Sequence, residues 1–188
     1  MKHQLNAKYE SIELRPLVFD DIEKLRIWRN DAIATRFLRP IGHVTKEMQE
    51  EWFEKYLVDD DIITFSIVET DALNRMIGSV SIYNFRGKRA EIGKIQIGDP
   101  EAHGRGIGKK ALVMAIKIGF NLLDLEIIDG AVHQENVSAH KNDMSVGFKI
   151  VGTKESVVGG KEDIIEIDIE QAKKANLYFD RIVVFKNE

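Results

Sequence analysis

The residues most able to do chemistry lie between Ile92 and Asn121. The β-branched run Ile92–Ile97 reads as a strand and is broken by the turn residues Gly98-Asp99-Pro100-Glu101. His103-Gly104-Arg105-Gly106-Ile107-Gly108 then opens a segment whose apolar residues Ile107, Ala111, Ala115, Ile118 and Leu122 recur at helical spacing. Strand, glycine-rich turn and helix start, in that order, make an anion site. The first amides of a helix lack intrahelical partners, and the helix dipole adds about half a positive charge there. Glycines let the backbone come close to a phosphate, and Arg105, Lys109 and Lys110 add positive charge. Two familiar phosphate loops fail on spacing. A Walker A loop would need glycine where His103 stands and a hydroxyl where Lys110 stands, and a dinucleotide fingerprint would need glycine at Lys109.

Composition limits the alternatives. The 188 residues suit one globular domain spanning the chain, and a net charge of −4 argues against non-specific nucleic-acid binding. With no cysteine there is no disulfide, thiolate metal site or cysteine nucleophile, which fits a cytoplasmic protein. The start Met1-Lys2-His3-Gln4-Leu5 lacks a signal-peptide core, and no apolar run approaches membrane-spanning length. Neither a metal nor a membrane is expected as a partner. Asp59-Asp60-Asp61 reads as a solvated turn.

The elements that must position the glycine segment follow in order. A strand is expected over Ile12–Leu17, then a helix capped by Asp20 with the stripe Ile22, Leu25 and Trp28. A loop over Thr35–Val44 leads to a helix after Thr45, with Met48, Trp52, Phe53, Tyr56 and Leu57 on one side. Ile62–Glu69, Met76–Phe85 and Ala90–Ile97 read as antiparallel strands. A helix over Gly106–Leu123 leads into a strand over Glu126–His133, so these last two strands pair in parallel. Asn136–Val146 is a short helix closed by Gly147, and Lys149–Thr153 with Ile164–Ile169 forms a final hairpin turning at Gly159-Gly160. From Gln171 onward either a helix or an extended tail is possible.

This order and these motifs resemble the GNAT superfamily of N-acetyltransferases over nearly the whole chain. The glycine segment is similar to that family's Gln/Arg-x-x-Gly-x-Gly/Ala loop, with His103 in the first position. Asn136-x-x-Ala139 followed by Gly147-Phe148, and Asp99-Pro100-Glu101 before the loop, match as well. Leu14-Arg15-Pro16-Leu17 with Trp28-Arg29-Asn30-Asp31 looks like the branch that modifies ribosomal-protein N-termini, spermidine or nucleotide-linked amino sugars. The resemblance implies an α+β fold: a mixed, mostly antiparallel sheet flanked by helices, with a splayed parallel strand pair. It also implies acetyl-CoA as acetyl donor and an amine as acceptor, in a monomer or homodimer. Pantetheine would pair with Gln96, Ile97 and Gly98. The pyrophosphate would rest on the stretch from His103 through Gly104, Arg105, Gly106, Ile107, Gly108 and Lys109. Asn136 would reach the pantetheine from the far side or, read locally, cap its own helix. Arg29 and Asn30 would meet the acceptor.

Acetyl transfer to an amine poses two proton problems. An alkylammonium of pKa about 10 must lose a proton, and a thiolate of pKa about 8.5 departs. Glu91, on the strand leading to the glycine segment, resembles the family's glutamate base; the alternative is a surface carboxylate paired with Lys88, Arg89 or Lys94. The position where many members carry a tyrosine acid is Asp143, ordinarily ionised and so a poor donor, and Tyr83 and His140 are other candidates. The acceptor reads as a protein N-terminal amine or a small amine such as a nucleotide-linked amino sugar. A non-catalytic CoA-binding module is the alternative.

Overall fold

In the computed structural model, which describes residues 2–187, β-branched runs and glycine punctuation produce nine strands in one sheet. The strands are β1 (Leu5–Tyr9), β2 (Ile12–Pro16), β3 (Ile62–Glu69), β4 (Arg75–Arg86), β5 (Arg89–Ile97), β6 (Ile127–His133), β7 (Lys149–Glu155), β8 (Lys161–Ile167) and β9 (Val183–Lys186). Their order across the sheet is β7-β8-β6-β5-β4-β3-β2-β1-β9, and every pairing is antiparallel except β5 with β6. The helices are α1 (Ile22–Arg29), α2 (Lys46–Val58), α3 (Ile107–Leu122), α4 (Val137–Val146) and α5 (Ile169–Ala175). The mixed, mostly antiparallel sheet and its parallel pair match the sequence expectation.

α3 is the organising helix. Every residue from Ala111 to Phe120 is buried, as a helix lying flat on the sheet and covered on its other side requires. Burial extends even to Lys117, whose ammonium donates to the Phe179 carbonyl at 2.8 Å.

The parallel pair parts early. Pairing runs only through Arg89↔Ile127, Ala90↔Ile128 and Glu91↔Asp129. Beyond it, β5 continues to Ile97 while β6 stays paired with β8 through His133. The cause lies on the other edge of β5. Between Ser81↔Gly93 and Ser79↔Gln96, β5 advances three residues where β4 advances two, a bulge of one residue. Lys94 sits in it with a left-handed φ of 51°. The bulge bends β5 away from β6 and opens a wedge.

Four expectations change. Residues 5–9 form a strand that the sequence reading did not anticipate, and the tail is helix followed by a strand that completes the sheet beside β1. Asp20 does not cap the first helix. Asp21 lies at that end instead, buried, accepting from Val18 N at 3.1 Å, Ser66 Oγ at 2.6 Å and both Nη atoms of Arg15. The last strand begins at Lys161 and ends at Ile167, because the Asp168–Gln171 capping box starts α5 there.

Candidate active site

The wedge has two sides. One is the glycine stretch at the end of β5. Gly104 and Gly106 have φ of 74° and 70°, conformations that glycine adopts without penalty. A Cβ at either would meet nothing within 4 Å, so the backbone here faces open space, as an approaching phosphate requires. Gly106 is the N-cap of α3, and the first amides of that helix open onto the same space.

The side chains of this stretch are tethered at the surface to neighbouring groups. His103 Nε2 meets the Ile97 carbonyl at 2.8 Å, so the ring stitches the loop back to the strand that led into it. Arg105 lies 3.7 Å from the buried Glu69, Lys109 Nζ donates to the Ser145 carbonyl at 3.4 Å, and Lys110 Nζ to Glu10 at 2.6 Å. Arg75 grips Asp99 at 2.7 Å and Glu101 at 3.0 Å, fixing the turn before the loop. What faces the open space at Gly104 and Gly106 is therefore backbone. The Gly98 N–H donates to the Ile77 carbonyl at 2.9 Å, and that glycine is required by packing: a Cβ there would lie 2.0 Å from the Trp28 ring.

The other side is a cavity of about 550 Å³. α1 gives Leu25 and Arg29, the 31–44 loop Leu38 and Arg39, and α2 Met48 and Trp52. β3, β4 and β5 add Thr64, Ser79, Ser81, Lys94 and Gln96, and Asn136 closes the far end. The exposed Met48 and Trp52 thus face this cavity, while Phe53 and Tyr56 on the same helix go into the core. A second space of about 390 Å³ adjoins it and shares Arg29 and Arg39. Gln96 bridges the two sides, donating from Nε2 to the Trp28 carbonyl at 3.1 Å.

Asn136 caps α4, its Oδ1 accepting from Ala139 N at 3.3 Å, and it borders the cavity as well. Asn30 spends its amide on the backbone of Val44, giving Nδ2 to the carbonyl at 2.9 Å and taking the N–H at 2.8 Å. It is the clasp that closes the 31–44 loop. Arg29 donates to the Arg39 carbonyl at 2.6 Å, and burial lowers its pKa.

Glu91 stands at the last paired position before the strands part, opposite Asp129. Its carboxylate accepts from Asn84 and lies 4.0 Å from Arg86, rather than pairing with Lys88, Arg89 or Lys94. Beside it, Arg86 holds both oxygens of Asp129, and Arg89 bridges Asp129 and Glu166. Burial and the nearby Glu91 carboxylate push the Tyr83 hydroxyl well above its ordinary value, so it keeps its proton.

Sequence reasoning took Asp143 as ionised. Burial in fact pushes its carboxyl up to about 7, with His140 pulling the other way, so near neutrality a good part of it retains the proton. Lys94, Ser79, Ser81 and Thr64 were missed as cavity residues. One signal existed for Lys94: the isoleucines at 92, 95 and 97 break the two-residue alternation of a strand by one position, the mark of a bulge.

A sheet whose single parallel pair splays beside a glycine-capped helix defines an acyltransferase architecture. The acetyltransferase (GNAT) domain family matches residues 11–149. An N-acetyltransferase 9-like protein of Caenorhabditis briggsae is 30% identical, over 80% of this chain and 82% of that one. The spermidine N(1)-acetyltransferase of Escherichia coli K12 is 27% identical, over 76% and 75%. Among solved structures, a spermidine N-acetyltransferase from Vibrio cholerae in complex with CoA and spermine superposes with a TM-score of 0.77 at 22% identity, covering 86% of this chain and 98% of that one. The chain belongs to the GNAT acetyltransferase family, and it is an acyltransferase of the N-acetyltransferase type.

Proposed function

We propose that the chain transfers the acetyl group of acetyl-CoA to a primary amine, either a protein N-terminal amine or a small amine such as a nucleotide-linked amino sugar. The observation that carries this reading is the wedge itself. Its β5 arm ends in an open backbone cradle, and a separate cavity opens on the other side of the same strand. The amides from Gly104 to Lys109 hold the pyrophosphate, and the pantetheine runs along Gln96–Gly98 with Asn136 opposite. His103 serves the cradle indirectly, as the strut between the loop and the Ile97 carbonyl. Arg29 faces the acceptor, and Asn30 holds the loop that carries the acceptor wall.

In the reaction an N–C bond forms as the thioester C–S bond breaks. The ammonium loses one proton to a base before it attacks, and the second proton shed by the nitrogen as the amide forms passes, directly or through water, to the departing thiolate. No carboxylate borders the cavity among the described residues, so the first proton travels through water, and Glu91, three residues before Lys94 on β5, receives it.

Two measurements test this. Acetyl-CoA should raise the melting temperature by mass action, and a panel of primary amines should release free CoA thiol. With an acceptor found, Glu91→Gln should lower turnover by about 10²–10⁴, the usual span for a general base. The deficit should shrink as pH rises towards the pKa of the acceptor. A loss below about threefold removes Glu91 from the mechanism. Binding of acetyl-CoA without thiol release from any amine would favour a non-catalytic CoA-binding module instead.

A further inference from the structure

The charge pattern of the cavity sharpens the acceptor class. The chain is acidic overall, with a formal charge of −4, yet the cavity carries Arg29, Arg39 and Lys94 and no aspartate or glutamate among its described lining residues. The adjoining space adds Arg36 and His43, again without a carboxylate. Elsewhere six of the seven arginines, Arg15, Arg26, Arg75, Arg86, Arg89 and Arg105, each lie against a carboxylate, and the seventh, Arg181, lies over the Tyr9 ring. Among the described residues, Arg29, Arg36, Arg39 and Lys94 form no ion pair. Arg29 and Arg36 give their guanidinium protons to backbone carbonyls, and Lys94 rests its ammonium over the Tyr83 ring, 4.4 Å from the centroid.

These cations also disfavour one another. Lys94 lies below the ordinary lysine value mainly through desolvation; Asp59 opposes this more strongly than Arg29 adds to it, and Glu91 and Asp61 oppose it as well. Lys94 is aimed by the bulge, its left-handed backbone being a conformation that a lysine adopts only when the surroundings impose it. Of the three cations lining the cavity, Arg29 is half-buried while Arg39 and Lys94 are exposed at its rim, and cations left without a carboxylate around one cavity are a site that a bound anion satisfies. The rest of the wall is apolar, including Leu25, Leu38, Ile41, Met48 and Trp52, or carries neutral hydroxyls and amides.

We propose that the acceptor amine is an anionic molecule, with a phosphate or carboxylate held by Arg29, Arg39 and Lys94 and an apolar body against Met48 and Trp52. This rests on the acetyltransferase reading and narrows it. A polyamine, several times positively charged, would bring its charges to a wall with no carboxylate to receive them. The acceptor therefore differs in sign from the substrate named for the Escherichia coli and Vibrio cholerae relatives.

The test compares hexylamine, aminohexanoate, aminohexyl phosphate and spermidine as acceptors at saturating acetyl-CoA, reading thiol release. At least one anionic probe should exceed both hexylamine and spermidine in kcat/KM by about tenfold, and added salt should erode the advantage. Which of the two anionic probes wins separates carboxylate from phosphate. The ratio of anionic to neutral probe should fall by about tenfold in Arg29→Gln and in Lys94→Met, with Arg29→Lys keeping part of it. If no probe is acetylated, calorimetric binding of the same four to the CoA-bound protein applies the same ranking. Spermidine as the best probe, equal ranking of charged and neutral probes, or a preference untouched by both substitutions overturns the proposal. So does an equal loss of acetyl-CoA affinity in Arg29→Gln, which would assign the cations to the cofactor. A preference for spermidine would leave the acetyltransferase reading standing, whereas failure to bind acetyl-CoA would remove that reading itself.

Discussion

On the proposed cofactor side of the wedge the open surface is backbone of one short stretch, at Gly104, Gly106 and the start of α3, while the amides of Gly98, Asp99, Glu101, Ala102 and His103 are bonded within the turn and to β4. The cavity proposed for the acceptor is assembled the opposite way, from side chains of α1, the 31–44 loop, α2, β3, β4, β5 and the cap of α4. A phosphate carried on a common cofactor presents the same oxygens every time, and amides fixed by φ suffice for it. An acceptor that differs from one relative to another is met by side chains, which can be exchanged without disturbing the sheet. The joint between the two is small: the Trp28 ring over Gly98, and Gln96 bonded to the Trp28 carbonyl.

The comparison is broken most severely at that joint. Gly98→Ala would set a Cβ 2.0 Å from Cδ2 and 2.3 Å from Cε2 of Trp28, and a rigid ring cannot yield by a rotamer change alone. We expect a loss of about 2–3 kcal/mol in stability, read by denaturant unfolding, with both acetyl-CoA and acceptor binding weakened. A variant as stable as the parent would show that Trp28 moves freely and that the two sides are not coupled through it.

The next effect should stay on one side. Gly106→Val puts a β-branched residue at φ 70°, a cost of about 1–2 kcal/mol, and points its methyls into the open cradle. Affinity for acetyl-CoA should fall at least tenfold by calorimetry, while the acceptor cavity, which Gly106 does not line, keeps its shape. Parent-like acetyl-CoA binding by a folded Gly106→Val protein would remove the cradle assignment.

Legibility in the sequence follows the same division. The strand, glycine turn and helix start were legible because glycines that need positive φ, a helix N-terminus and the strand before it are local, and local structure is written in consecutive residues. The succession of elements from Ile12 to Ile167 was readable for the same reason, through two-residue alternation and the Asn136 and Gly147 caps. The strand at 5–9 was not, since its five residues Leu-Asn-Ala-Lys-Tyr include no β-branched residue, and pairing with β2 and β9 makes it. The acceptor wall was hidden more deeply. Arg29 and Asn30 were visible as a pair, but the fold divides them, one towards the cavity and one into the loop clasp. Lys94 depended on a bulge, and Ser79, Ser81 and Thr64 on which strand lies beside which.

The smallest expected effect concerns Asp143, which sits on the helix touching both regions: Asn136 caps it at the acceptor cavity, and Asn142 lies beside Gly108 of the cradle. Its carboxyl is pushed from 3.8 up to about 7 by burial, and it makes no hydrogen bond among the described residues. The folded protein therefore holds a proton there that the unfolded chain releases. Stability associated with this group is fully present below pH 3.8, declines as pH rises towards 7, and stays at its lower value above. Asp143→Asn removes the titration. The variant should gain on the parent by about 1–2 kcal/mol between pH 4 and pH 7.5, or roughly 2–8 °C in melting temperature. His3 works in the opposite direction, since burial lowers it to about 4 and stability associated with it is lost as pH falls. Both proteins share that loss, so the difference between their profiles isolates Asp143. A difference that stays flat over this range would show the carboxyl to be solvated. It would then be an ordinary ionised aspartate, unable to supply a proton to a departing thiolate near neutral pH.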